Sequence, residues 1–303
     1  SYTPWLRALV TDIDLAYIAG YYRFADNQSL SASLRYFSLG DITLMDQLGM
    51  PQGSAHPLEM AIDAAYALKL SENLSASVAL RFIYSDLNNG YNSSAGEPMY
   101  PGYAVAADIA AYYRLPIEFS TGDGALSFGT NISNIGSKVS YDQNATNNFI
   151  PTNWRLGTYF LYPLDDYQTI SFSADANKLL VPTPDPAKLE DNKNYYNTVG
   201  SIAGLFQSFG DAPGGFKEEL QEIMWSAGAE YAYNQQFFVR LGYFNESKYK
   251  GNRKFFTFGA GFKLNVFQID AGYVVSVVQS NPLDNTLRIS LSFDVDGLKN
   301  LFQ

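Results

Sequence analysis

The stretch Phe255–Val275, FFTFGAGFKLNVFQIDAGYVV, decides the fold because it alternates. Phe256, Phe258, Phe262, Leu264, Phe267, Ile269, Ala271 and Tyr273 fall on one face, while Lys263, Gln268 and Asp270 fall on the other. Period-two alternation is the mark of a strand, and Asn265 supplies a tight turn between two of them. In a water-soluble sheet the apolar face has to pack against another layer, whereas in a membrane barrel it can face lipid directly.

The rest of the chain repeats the pattern. WSAGAEYAY sets Trp225, Tyr231 and Tyr233 against Glu230. LRISLSFDV sets Leu287, Ile289, Leu291, Phe293 and Val295 against Arg288 and Asp294, and LSASVALRFIY turns Leu74, Val78, Leu80, Phe82 and Tyr84 away from Arg81. Such segments are predicted at 15–24, 29–39, 58–70, 74–86, 103–116, 125–134, 153–162, 168–179, 224–233, 237–246, 255–264, 266–278 and 286–295, with SYTPWL as the end of a fourteenth. In LAYIAGYYRF both faces carry aromatics, and only Tyr22 and Arg23 hint at its orientation.

Loop lengths follow parity. Asp26–Gln28, Ser71–Asn73, Glu118–Gly124, Pro163–Tyr167, Asn234–Gln236 and Asn265 are tight. The alternate connections, Leu6–Asp14, Gly40–Pro57, Leu87–Gly102, Ile135–Thr152, Leu180–Ile223, Ser247–Lys254 and Gln279–Asn285, are longer and polar. A soluble sandwich has no reason to segregate loops in this way. The expected fold is therefore all-β: a 14-stranded antiparallel transmembrane β-barrel with short periplasmic turns, long extracellular loops and both termini on the short-turn side. Strand-end aromatics Tyr84, Tyr113, Tyr162, Tyr233 and Tyr243 suit its interfacial girdles. One barrel domain is expected over 1–303.

Composition agrees. The 303 residues are 47% apolar and 16% aromatic, with 23 Tyr and 21 Phe, so the large side chains are sheet-forming types. No apolar run approaches the ~18 residues of a spanning helix. A net charge of −10, from 20 basic and 30 acidic residues, argues against a nucleic-acid partner. The absence of cysteine removes disulfides and thiolate metal sites. The chain opens at Ser1 on apolar sequence, which reads as a mature or truncated form. On the polar faces Arg35, Lys69, Arg81, Arg114, Arg155, Arg240, Lys263 and Arg288 nearly balance Asp63, Asp108, Asp175, Glu230, Asp270 and Asp294, which predicts ion pairing across the lumen rather than a pore of one sign.

Catalytic chemistry has little to work with. His56 is the lone imidazole, sits in a predicted loop, and lies in no hydrolase or zincin pattern. FGAGF (258–262) is a G-x-G inside a strand, where small residues relieve crowding, rather than a phosphate loop. Asp165 and Asp166 are turn formers. Asn92, Asn131 and Asn144 begin glycosylation-type triplets, read as chance. No enzyme activity, cofactor or metal is expected.

The longest loop has its own architecture, an insert at about 182–223. VPTPDP leaves the strand, LEDNK is acidic, and TVGSIAGLFQSFG then places Ile202, Leu205, Phe206 and Phe209 at helical spacing before Gly210. After DAPGG, FKEELQEIM places Phe216, Leu220 and Ile223 at i, i+4 and i+7. Two short amphipathic helices are predicted. Their stripes either fold over the barrel mouth as a cap or remain exposed as a docking surface. ITLMDQLGM (42–50) adds Leu44, Met45, Leu48 and Met50, adaptable side chains that suit a partner or loop packing. The candidate partner-binding set is Leu44, Met45, Leu48, Met50, Leu205, Phe206, Phe209, Phe216 and Leu220.

As an ensemble, SYTPWLRALV, SLRYFSLGDI, FVRLGYF and LRISLSFDVDGLKNLF resemble the PorV family of type IX secretion proteins, itself similar to the FadL family of fourteen-stranded barrels. The family's N-terminal region before the first strand is absent here, and DGLKNLFQ extends beyond the last strand. The resemblance implies a non-enzymatic outer-membrane shuttle held in lipid. It would bind a SprA/Sov-type translocon, accept secreted cargo through its C-terminal domain, and carry it to an attachment complex of a PorU-type transpeptidase and PorZ. It assigns no individual contact residue. The same fold also fits a different function, a FadL-like channel for hydrophobic small molecules.

Overall fold

The computed structural model describes residues 1–6, 12–45, 48–87, 99–143, 146–185, 198–278, 281, 283–295 and 297. The LEDNK stretch, the sequon at Asn92, Asn144 of its own triplet, and all of the DGLKNLFQ tail but Gly297 lie outside them.

Fourteen strands close into one antiparallel barrel. In chain order they are β1 (Tyr2–Pro4), β2 (Asp14–Ala25), β3 (Gln28–Ser38), β6 (Leu58–Lys69), β7 (Leu74–Asp86), β8 (Gly102–Phe119) and β9 (Gly122–Gly136), followed by β10 (Asn153–Pro163), β11 (Gln168–Leu179), β12 (Met224–Tyr233), β13 (Phe237–Asn245), β14 (Lys254–Leu264), β15 (Phe267–Ser276) and β16 (Leu287–Phe293). A separate two-stranded hairpin, β4 (Ile42–Met45) with β5 (Pro51–Ala55), rises from the β3–β6 connection. Helices α1 (Ser201–Gln207) and α2 (Phe216–Gln221) occupy the β11–β12 connection, as their apolar spacing predicts.

Each segment inferred from alternation is a strand, and consecutive strands pair in register. In the opening hairpin Phe256 faces Val275, Phe258 faces Tyr273 and Phe262 faces Ile269. These cross-strand partners share the outward side, and Phe256, Phe258, Ile269 and Tyr273 are all exposed. The same holds around the wall at Val78, Leu80, Phe128, Phe172, Val239 and Leu291. A sheet that leaves this much apolar side chain uncovered is solvated by hydrocarbon, so the barrel is of the outer-membrane type. Among the described residues no helix is long and apolar enough to span a membrane.

Turn chemistry explains the short-turn end. Asn234 and Gln235 both adopt φ of 52° and Asn265 adopts 49°, the left-handed conformations that join strands with matching twist. Asp165 Oδ1 accepts the backbone N–H groups of Tyr167 and Gln168 at 2.8 and 2.7 Å, the turn-forming role read from its position. The Glu118–Gly124 connection is tighter than expected. β8 and β9 continue through it, Phe119 pairs with Gly122, and only Ser120 and Thr121 turn.

The ambiguous second strand is resolved by its partner. Tyr17, Ala19, Tyr21 and Arg23 sit opposite Arg35, Ser33, Ser31 and Ser29, so they share the inner face with Arg35, while Ile18, Tyr22 and Phe24 look outward.

Candidate functional site

Ion pairs line the inner wall in two clusters. Arg81 on β7 pairs with Asp63 on β6 and, at 2.9 Å, with Asp108 on β8, and it donates to Asn134 Oδ1 at the end of β9. Arg240 on β13 reaches Glu230 on β12 and Asp270 on β15, both at 2.5 Å. The pairs therefore run along the wall, between neighbouring strands for Arg81 with its two aspartates and for Arg240 with Glu230, and across one intervening strand for Arg240 with Asp270, instead of spanning the lumen. The geometry is local because long side chains on adjacent strands meet within about 5 Å, far less than the barrel's width.

The second cluster explains FGAGF. Arg240 and Asp270 lie on either side of β14, whose inner face there carries Gly259 and Gly261. A Cβ on Gly261 would stand 2.4 Å from Asp270 Oδ1 and 3.1 Å from Arg240 Nη1, and one on Gly259 would stand 3.3 Å from Arg240 Cβ. The glycines leave a shelf across which the guanidinium crosses an intervening strand.

The β9–β10 connection enters the barrel mouth. Val139 and Ile150 pack with Ile83 on the buried Ala104 and Ala106 of the inner wall, and Tyr141 donates to Ser85 Oγ at 2.9 Å, which donates in turn to Glu59. Below it the lumen keeps a recess of about 410 Å³ lined by Tyr159, Ser173, Gly228, Glu230, Arg240 and Phe255 among others. A second of about 310 Å³ lies beside Tyr17, Arg35, Asp63 and Arg81.

The helical insert is not the cap over the mouth; it lies against the outer wall. Lys178 is on the outward face of β11, in register with Trp154 on β10 and on the same face as Phe172 and Ala176. Its ammonium is 2.9 Å from Glu219 and 2.5 Å from Glu222, both carried by the α2 segment. Lys250, from the β13–β14 loop, holds Glu218 at 2.5 Å and Glu222 at 3.0 Å. Thr183 donates to Glu222, and Glu219 also accepts the Ala212 backbone N–H. Phe209, just beyond α1, meets the outward Trp154 edge-on at 5.9 Å.

This polar clamp inverts the helices. Their buried positions are Gly204, Ser208 and Glu219, whereas Ile202, Phe206, Phe209, Phe216, Leu220 and Ile223 are exposed. Gly204 sits where a Cβ would strike Phe149 at 2.8 Å, so α1 is held close by its smallest residue. Burial, which alone would raise the Glu222 carboxyl, is outweighed by hydrogen bonds from Lys178, Thr183 and Lys250, so its pKa falls. Asp211 moves the other way. Burial raises it, Glu219 and Glu222 add to the shift, and its Oδ1 has no hydrogen-bond partner among the described residues.

Of the predicted partner-binding residues, Phe206, Phe209, Phe216 and Leu220 are exposed on this insert, and Leu205 is half-buried. Met45, Leu48 and Met50 are exposed on the separate β4–β5 hairpin, Leu48 by 88%, and Leu44 is partly covered. His56 Nδ1 lies 2.5 Å from Asp41 Oδ1 across the base of that hairpin, the loop-structural position expected of it. Among the described residues no group of three or more His, Cys, Asp or Glu could hold a metal ion. The residue missed by sequence reasoning is Lys178. Its signal was parity, because SFSADANKLL puts Phe172, Ala174, Ala176 and Lys178 on one face, an ammonium on a lipid-facing stripe.

The model of the family described as "Type IX secretion system protein PorV" matches residues 1–186, the stretch that carries β1 through β11. No curated protein sequence matches the chain. Similar solved structures include the P. putida toluene transporter TodX, at 10% identity and a TM-score of 0.47 over 92% of this chain and 79% of that one. A Pseudomonas aeruginosa FadL homologue matches at 9% identity and 0.40 over 92% and 75%. BamA from Haemophilus ducreyi lacking POTRA domains 1–3 matches at 10% and 0.40, and although 93% of this chain is covered, it spans only 62% of that BamA chain.

Proposed function

Because the chain belongs to the PorV family of type IX secretion system proteins, we propose that it works as one non-enzymatic unit of the bacterial outer membrane. It binds a SprA/Sov-type translocon and the C-terminal domains of secreted cargo, and shuttles cargo to a surface attachment complex of a PorU-type transpeptidase and PorZ. The long loops face the cell exterior and the termini the periplasm. Family membership carries this reading. Its physical support is that apolar side chains exposed beyond the wall gather at the long-loop end, on the β4–β5 hairpin and the insert. Leu44, Met45, Leu48 and Met50 form a water-facing contact for an arriving chain. Leu205, Phe206, Phe209, Phe216 and Leu220 lie where a partner beside the barrel in the membrane plane would meet them.

Affinity capture from native membranes tests the proposal. A translocon-type barrel or a cargo C-terminal domain should copurify, and Leu48→Asp with Met50→Asp, or deletion of 198–223, should weaken the association. Unchanged capture after both alterations would remove the docking role of the long-loop end. A second reading, a channel for hydrophobic molecules, draws on the luminal recess beside Tyr159 and Phe255. Ligand uptake into vesicles that is lost on filling this recess by Gly228→Trp would favour it.

A further inference from the structure

We propose that the apolar face of the α1–α2 insert is a membrane-contact surface, seated among the lipid acyl chains of the leaflet at the long-loop end. It lies on the barrel's outer side, where lipid lies. Phe209 rests on Trp154, and Lys178, whose ammonium anchors α2, is in register with that same Trp154 on the outward face. The insert therefore continues the greasy wall at the height of its upper aromatic girdle, where Trp225, Tyr243 and Phe256 also stack outward.

Charge sorting on α2 points the same way. Glu218, Glu219 and Glu222 are all drawn to Lys178 and Lys250, which leaves Lys217 as the exposed charge of the helix. A lysine beside apolar neighbours is suited to the headgroup boundary, since its stem lies along hydrocarbon while the ammonium reaches phosphate. Phe206 at 70% and Phe216 at 77% exposure would otherwise hold two aromatic rings in water, and Ile202 and Leu220 of the same insert are exposed as well. A helix with acids turned to the protein, apolar side chains turned away and a lysine at the edge matches an interfacial segment.

The chain contains no cysteine, so single labelling sites can be introduced cleanly. Phe206→Cys and Phe216→Cys, each carrying an environment-sensitive fluorophore, are reconstituted in phosphatidylcholine vesicles doped with lipids bearing a spin label near the headgroup. Phe258→Cys serves as the wall control and Leu48→Cys as the water control. Both insert probes should lose most of their fluorescence to the shallow lipid label, emit to the blue of the Leu48 probe, and resist aqueous iodide. Quenching by iodide with none by lipid would overturn the proposal in favour of a water-facing surface, and quenching by neither would overturn it in favour of cover by the chain itself. Phe206→Trp and Phe216→Trp, read with brominated lipids against a background lacking the other tryptophans, give the same decision if labelling disturbs the helices.

Discussion

Replacing Lys178 with alanine should release the insert from the wall while leaving the barrel closed. α1 has seven residues and α2 six, each too short to persist alone, so their order depends on tertiary contacts. The side chains of Lys178, Glu219 and Glu222 are only 10%, 10% and 12% exposed. Removing one partner of a buried pair costs about 3–5 kcal/mol because the other charge is stranded. Among the described residues Glu222 keeps Lys250 and Thr183, whereas Glu219 keeps only the Ala212 N–H, so the lower end applies. About 3 kcal/mol corresponds to roughly a hundredfold rise in the opened population. Limited proteolysis within 198–223 in nanodiscs, or amide exchange of the same segment, reads that population directly. Lys178→Met combined with Glu219→Gln and Glu222→Gln should recover much of the protection, since neither carboxylate that faced Lys178 is then left charged without it. Unchanged cleavage in Lys178→Ala would refute the clamp.

Four further outcomes follow from the same geometry. Phe258→Arg places a cation on the lipid face and should lower stability in vesicles by about 2–4 kcal/mol if near the midplane, read from denaturant midpoints, whereas Gln268→Ala on the inner face should leave secretion intact. Gly261→Ala should separate Arg240 from Asp270 and lower the unfolding midpoint, and Gly261→Ala with Asp270→Ala should show less than the summed loss. Glu218, through its Lys250 bond, and Glu222 are held below the usual 4.5, so their stabilisation of the insert is complete above that value and lost as the pH falls through their folded pKa values. Cleavage of the insert should therefore stay flat near neutrality and rise below pH 4.5. Asp211 has the opposite sign: its raised pKa means that its charge opposes the folded insert at neutral pH, so Asp211→Asn should make cleavage slower there.

The wall was legible in the sequence because strand parity is a local signal. Phe256, Phe258, Ile269 and Tyr273 reveal their face through their immediate neighbours, and Asn234 and Asn265 mark turns by their tolerance of positive φ. What escaped depends on distant pairing. Lys178 meets glutamates 41 and 44 residues along the chain, and without that pairing nothing in the apolar stripes of α1 and α2 says whether they close the mouth or lie outside it. The connection that does pack on the inner wall carries Val139, Tyr141 and Ile150, whose mixed sequence has no periodicity to read. The β4–β5 hairpin was hidden for another reason: its strands have four and five residues, and the second opens with a proline that argues against a strand.

If this barrel serves protein export, surface display of cargo depends on it. In native cells lacking the chain, proteins bearing a type IX C-terminal domain should accumulate in the periplasm instead of at the surface, and re-expression should restore display. A chain whose loss leaves display intact, but abolishes uptake of a hydrophobic compound, would contradict it.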